Sequence, residues 1–390
     1  MVYLVSRVSS ALYRRVMKPI LFRFSADSVH ERMIALGYRV QNWHIVRFVL
    51  RKVYAFEDDR LRSTLLGITF KNPLGLSAGL DKDVKIPQML KAIGFGFAEC
   101  GSVTYGSYEG NKQPWYTRLP ASRSIIVNSG LRSEGVKSVN KRVLSYPKNT
   151  FTEFPLNISI AKTNSRKANT CDSGIADYIA SLKYWEEHGG ATYYTINISC
   201  PNTFGGEPFT DELSLEKLLR AIDELNITRP LFVKMPIDKS WVQSRKLLSV
   251  CARHKVDGIT YGNLYKDRST VKLSESYDAH LKGNFSGKPC FDVSNELLAR
   301  AYAQFGNRFV FSGVGGVFSA EDAYTKIKLG ATFVQIITGL IFEGPMVVGQ
   351  INRGLVALLE KDGFKHINDA VGSGNMYVKG KQNGSKEKQK

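Results

Sequence analysis

Between Pro73 and Lys361 the chain repeats one unit, a short apolar run rich in β-branched or aromatic residues followed in most cases by a stretch with apolar positions at helical spacing. The runs are Pro73–Leu80, Phe97–Val103, Pro155–Ala161, Tyr193–Ser199, Leu231–Pro236, Gly258–Asn263, Phe309–Val314 and Phe333–Thr338. The helical stretches are Ile86–Ile93, Ile175–His188, Leu215–Leu225, Trp241–His254, Ser294–Phe305, Ala320–Leu329 and Met346–Lys361. Eight strands alternating with helices predict an α/β fold, a (β/α)8 TIM barrel, for which about 250 residues is typical. The competing arrangement is an open doubly wound sheet, but no strand leads into its helix through a G-x-G-x-x-G turn. A further strand-like run, Leu65–Lys71, is placed to cap the barrel floor.

The flanks differ in composition from this core. The 390 residues carry a formal charge of +19, with 43% hydrophobic residues, which excludes disordered and collagen-like chains and implies an anionic partner. Up to Val53 there are ten Lys or Arg against Asp27 and Glu31, and from Lys379 five lysines stand against Glu387. Nucleic-acid binding calls for basic residues gathered on one face or helix, so an excess held largely at the two ends argues against it. No apolar stretch is long enough to span a membrane. From Met1 to Phe22, however, Leu4, Val5, Val8, Leu12, Val16 and Ile20 form an apolar stripe with Arg7, Arg14, Arg15 and Lys18 elsewhere on the wheel. A second helix is expected to start at the Ser28–Glu31 capping box, and a third basic apolar stretch runs from Trp43 to Val53. This suits docking on an anionic membrane surface; the alternatives are core helices with a solvated basic face or a removable transit peptide. The expected organisation is a helical extension over 1–60, the barrel over 61–365 and a basic flexible tail over 366–390. Five cysteines without a C-x-x-C pair argue against a metal site and against a disulfide framework.

In such barrels the chemistry sits at the carboxyl ends of the strands. Strand one ends in Ser77-Ala78-Gly79-Leu80-Asp81-Lys82, strand two in Gly101-Ser102-Val103-Thr104, and strand three carries Asn157 and Ser159 with Lys162 beyond. Strand four ends in Asn197-Ile198-Ser199-Cys200-Pro201-Asn202-Thr203, strand five holds Lys234 and strand six Asn263. There is no carboxylate dyad and no His, which speaks against hydrolysis by paired acids. Gly315-Gly316 after strand seven and Thr338-Gly339 after strand eight stand where barrels bind a phosphate. Lys234 lies inside an apolar run, where an unpartnered ammonium is costly and an anionic or electron-rich ligand ring would compensate it.

Four segments together resemble the dihydroorotate dehydrogenases: Asn72 to Lys82, Ile196 to Thr203, Ser312 to Gly316, and Val334-Gln335-Ile336 with Phe342-Glu343-Gly344-Pro345. Phe24 to Glu31 is similar to the helical extension of the quinone-dependent class. The resemblance implies bound FMN, oxidation of dihydroorotate to orotate in pyrimidine synthesis, electron transfer to a membrane quinone, and a peripheral protein of a bacterial cell membrane or the mitochondrial inner membrane. Carried over by motif, Ala78, Gly79, Lys82, Ser102, Ser159, Asn197, Lys234, Gly287, Gly316 and Thr338 lie at the flavin. Lys82, Asn128, Asn197, Asn202 and Asn263 hold the substrate, Cys200 is the catalytic base, and Arg118 stands at the quinone entrance. An amide suits a substrate with imide and carboxylate groups, because it offers donors and an acceptor. The chain departs from the quinone-dependent pattern at Cys200, usually serine, at Ser159, usually asparagine, at Gly262 and Ile337, and in the shortened segment Asn128 to Arg132. A cysteine base is the habit of the soluble class, so fumarate or another soluble acceptor is the alternative to quinone. A barrel that binds an anionic ligand or RNA without redox turnover is the alternative from another class.

Overall fold

Eight parallel strands close into a barrel in chain order, as the alternation predicts. The structure is a computed structural model that describes residues 8–200, 203 and 206–378. The barrel strands are β3 (Leu74–Leu76), β4 (Phe97–Val103), β7 (Leu156–Ile160), β8 (Tyr193–Asn197), β9 (Leu231–Met235), β10 (Gly258–Tyr261), β12 (Val310–Val314) and β13 (Phe333–Ile336). The last, β13, pairs with β3 and closes the ring. Every residue of β4, β7, β8 and β9 is buried, the mark of parallel strands covered on both faces. Side-chain caps start the surrounding helices: Thr170 and Ser173 form a reciprocal box before Cys171–His188, and Ser240 and Gln243 another before Trp241–Ala252.

The floor is closed as expected from the Leu65–Lys71 run. A hairpin of β1 (Ser63–Leu65) and β2 (Ile68–Phe70) inserts Phe70 into a buried aromatic cluster with Phe97, Tyr193, Phe232 and Phe333. Two insertions at the opposite end build a sheet that periodicity did not reveal. Its strands β5 (Tyr116–Leu119), β6 (Ser124–Val127) and β11 (Asn284–Gly287) pair antiparallel, and their short mixed sequences resemble loop.

Among the described residues the N-terminal extension is helical over 8–22, ending in α1 (Lys18–Phe22), and continues as α2 (Ala26–Val40) and α3 (His44–Tyr54). The second helix starts earlier than expected, because Ser25 rather than Ser28 is the cap: its Oγ accepts the Ser28 N–H at 3.1 Å. The expected tail also begins too early. Ile367 and Ala370 are buried, and Asn375 Nδ2 donates to Ala299 O and Leu329 O, both at 2.8 Å, so the chain packs on the barrel to at least that point. Met1 to Arg7 and the lysines from Lys379 lie outside the described residues.

Candidate active site

Inside the barrel mouth a buried acid organises the polar groups. Glu99 on β4, fully buried, takes Lys234 Nζ on Oε1 at 3.0 Å, and Gln335 Nε2 at 2.8 Å and Asn157 Nδ2 at 3.3 Å on Oε2. Lys234, for which a ligand ring was the expected compensation, thus has a carboxylate of the barrel itself as partner. A buried ammonium with a buried carboxylate is stable only if the remaining polar atoms are bonded, which Gln335 and Asn157 accomplish for Glu99. Gln335 lines the cavity above, and its Oε1 is buried with no hydrogen-bond partner among the described residues.

Next to this layer, Asn197 Nδ2 donates to Ser102 Oγ at 2.8 Å, and Ser102 Oγ is 2.9 Å from Ser159 Oγ. Asn263 Nδ2 donates to Ser199 Oγ at 2.8 Å and to Asn197 Oδ1 at 3.3 Å, so strands β8 and β10 are tied at their carboxyl ends. Tyr178 donates its hydroxyl to Asn197 O at 2.7 Å and fixes that strand end from behind. Cys200 follows, half-buried, near the buried Lys162, whose ammonium is pulled below its ordinary value by burial, against the attraction of Asp177 and Cys200. Asp81 accepts from the Lys85 and Ile86 N–H groups at 2.7 and 2.8 Å, which shapes the turn that presents Lys82. Burial pushes the Asp81 carboxyl up to about 6.

On the other side of the mouth, Gly315 and Gly316 have φ of +108° and +72°, and a Cβ on Gly316 would stand 2.5 Å from Phe291 Cβ. A Cβ on Gly339 would stand 2.2 Å from Val317 O. Only glycine lets these loops after β12 and β13 come this close together, at the place where a barrel of this kind can bind an anion. Thr338 Oγ1, 2.9 Å from Ser286 Oγ, and Gly287 complete this rim.

One cavity of about 680 Å³, in the range of a small-molecule site, joins the two sides of the mouth. It brings together Ala78, Gly79, Lys82, Ser102, Asn197, Cys200, Lys234, Asn263, Gly287, Gly316 and Thr338. Ser159 stands behind Ser102 and is not part of the lining. Asn128 is also outside it; its N–H donates to Trp115 O at 2.8 Å and its Oδ1 accepts from Asn111 at 3.2 Å. The neighbouring Ser129 to Arg132 do line the cavity, and Asn202 is outside the described residues. Glu99 and Gln335 were missed because their strands read as apolar runs; a carboxylate inside a fully buried strand was the available signal.

Away from the barrel the same cavity becomes apolar and runs between the N-terminal helices, along Leu12, Met17, Leu21, Val29 and Met33. Leu12, Met17, Met33 and Leu36 line it while about half exposed, so it opens to the surface there. Its few polar groups include Tyr13, whose hydroxyl donates to Ile341 O at 2.7 Å, and His30, whose Nε2 is 2.8 Å from Leu80 O. Arg118 lines it too, with its guanidinium 4.6 Å from the Phe22 ring centroid and NH1 donating to Phe24 O at 2.8 Å. Burial pulls the Arg118 guanidinium and the His30 imidazole below their ordinary values.

Residues 60–359 match the family model described as Dihydroorotate dehydrogenase. A curated relative from Crocosphaera subtropica, a dihydroorotate dehydrogenase (quinone), is 33% identical over 358 residues, covering 89% of this chain and 93% of that protein. Another of the same description from Natronomonas pharaonis is 35% identical over 362 residues, covering 92% of this chain and 98% of that protein. Among solved structures, the DHODH of Eimeria tenella in complex with ferulenol has the same fold, with a TM-score of 0.79 at 23% identity over 90% of this chain and 98% of that one.

Proposed function

The chain belongs to the dihydroorotate dehydrogenase family, and on that premise we propose that it oxidises dihydroorotate to orotate for pyrimidine biosynthesis on FMN and delivers the electrons to a membrane quinone. The observation that carries this reading is the continuity of one cavity from a polar barrel mouth to an apolar passage between surface helices. A polar anionic substrate fits the first half, and a lipophilic acceptor the second.

The residues present fit the cofactor. The glycine loops after β12 and β13, with Gly287 and Thr338, offer N–H and hydroxyl donors to its phosphate. The orphaned Gln335 Oε1 is an acceptor for a ring imide N–H. Ala78, Gly79, Lys82, Ser102, Asn197 and Lys234 line the space between, with Ser159 supporting Ser102. Bound there, FMN would supply the hydride acceptor for the substrate and the two-electron carrier toward the quinone.

The chain's own residues supply binding, charge and the base. Asn197 and Asn263, with Asn202, present amides to the substrate, and Lys82 presents a positive charge to its carboxylate. Cys200 Sγ, as thiolate, accepts the proton from the substrate carbon next to the one that loses hydride. Lys234, held by Glu99, places a fixed positive charge where negative charge develops, at little reorganisation cost.

At the far end, α3 buries none of its residues, and Trp43, Ile45 and Phe48 are 62, 79 and 62% exposed among Arg39, Arg47, Arg51 and Lys52. Among the described residues no helix is long and apolar enough to cross a membrane. This surface suits peripheral docking on the anionic face of a bacterial cell membrane or the mitochondrial inner membrane, with the cavity opening beside it.

The test is an anaerobic titration of the purified protein. It should be yellow, release FMN on denaturation, bleach with dihydroorotate and recover its colour with a soluble quinone. A colourless protein that takes up no added FMN overturns the reading.

A further inference from the structure

Below the loop after β12 lies a charge that none of the roles above uses. Lys326, on the helix Ala320–Leu329, is fully buried. Its Nζ donates to Ser294 Oγ at 2.8 Å and Asn295 Oδ1 at 2.7 Å, both on the helix Phe291–Phe305, and lies 5.3 Å from the Phe291 ring centroid. Both acceptors are neutral, and among the described residues no carboxylate forms an ion pair with it. The charged and titratable groups around it are Cys290, Lys288 and Asp292 from the preceding turn and helix, and Asp322 on its own helix. Asp322 is occupied by Lys288 Nζ at 3.1 Å and by the Phe318 N–H at 2.9 Å.

The same side chain underlies the glycine loop. Lys326 Cδ is 3.0 Å from where a Cβ on Gly313 would stand, and Ser294 Oγ is 3.2 Å from the corresponding point on Gly315. The ammonium is thus one hydroxyl away from the backbone that forms the anion concavity. A buried ammonium with only neutral acceptors is expensive, and a multiply charged anion above the loop relieves that cost.

We propose that Lys326 is the buried counter-charge of this cradle, a positioning residue that acts through Ser294 on the Gly315–Gly316 loop and makes the site selective for a flavin bearing a dianionic phosphate. The proposal rests on the FMN reading above. Burial holds the empty-site ammonium down to about 7, so in weakly alkaline solution much of it is neutral. A dianion on the loop favours the charged form, so binding draws a proton from solvent onto Nζ. No bond other than N–H is made.

The experiment is calorimetry of FMN and of riboflavin binding to the flavin-depleted full-length protein at pH 8, in buffers of different ionisation enthalpy. At that pH the FMN phosphate, with a second pKa of about 6, is already a dianion and contributes no uptake. FMN should take up about one-half to one proton per site, and riboflavin none. Lys326→Met should abolish the uptake and weaken FMN about tenfold at pH 7 while leaving riboflavin affinity unchanged. Ser294→Ala should weaken FMN and spare riboflavin in the same way. Absence of uptake by the parent overturns the proposal without recourse to a variant, as does a Lys326→Met protein that loses both flavins equally. A parent that binds neither flavin fails at the earlier step and removes the FMN reading as well.

Discussion

The Asp27 carboxylate accepts the backbone N–H of Trp115 at 2.9 Å through one oxygen and that of Tyr116 at 2.9 Å through the other. This buried clasp joins α2 to β5, and so joins the apolar half of the cavity to the barrel. Asp27→Ala leaves two N–H groups without their acceptor, at about 1–3 kcal/mol each. Quinone-dependent turnover should fall about tenfold while dihydroorotate-driven reduction of a small polar dye changes less than twofold. Equal losses with both acceptors would show that the clasp serves the whole barrel.

Cys200 as base predicts a pH profile. The rate of flavin bleaching by dihydroorotate should rise through the thiol range, near pH 8.5 for an ordinary cysteine. Cys200→Ala should cost about 10²–10⁴-fold, and Cys200→Ser should retain part of the rate with its optimum at higher pH. Stopped-flow traces with flavin content checked in each protein decide the matter. An alanine variant as fast as the parent puts the base elsewhere.

Glu99 and Lys234 should behave as a unit. Removing one partner of a buried ion pair costs about 3–5 kcal/mol, because the other charge is stranded. Glu99→Gln should therefore lower the melting temperature and the retained flavin together. The double variant Glu99→Gln with Lys234→Met should recover most of the stability but not the activity. If the two single losses simply add, the pair is not coupled.

Asp81 predicts a stability slope. Its folded value of about 6 lies above the ordinary 3.8, so the folded chain holds this proton more tightly than the unfolded chain. The associated stability is complete below pH 4 and is lost as pH rises through 6, a change of about 3 kcal/mol. Denaturant unfolding of the parent and of Asp81→Asn should show their difference drifting by most of that amount, about 2 kcal/mol, between pH 4 and 7. A constant difference would contradict it.

The surface of α3 predicts membrane binding. Full-length protein should float with vesicles containing anionic lipid, less so at high salt, and Phe48→Asp with Ile45→Asp should abolish flotation while dye reduction persists. Flotation unchanged by the substitutions places the contact on another surface.

What the sequence conveyed depended on how local each signal was. The barrel strands were legible because each is a short, mainly apolar run, and the loops of the candidate site because their residues follow those runs directly. Lys234 was noticed, but its partner is 135 positions away on another strand and no local pattern connects them. The sheet of β5, β6 and β11 escaped because four-residue strands such as Tyr116–Leu119 carry too few alternations. At the start of α2 the box read from Ser28 left out the true cap, Ser25, and the hydrogen bond between their side chains, 2.8 Å long, shows that both take part in the turn.

The aromatic stopper around Phe70 turns the barrel into a flask. The cavity lies toward the other end, beside the helices that rest there. Sequence change at the base is thereby uncoupled from traffic. Tightening the contacts of Phe70, Phe97 and Phe333 is a route to a hardier protein whose turnover, acceptor preference and membrane behaviour stay as they were.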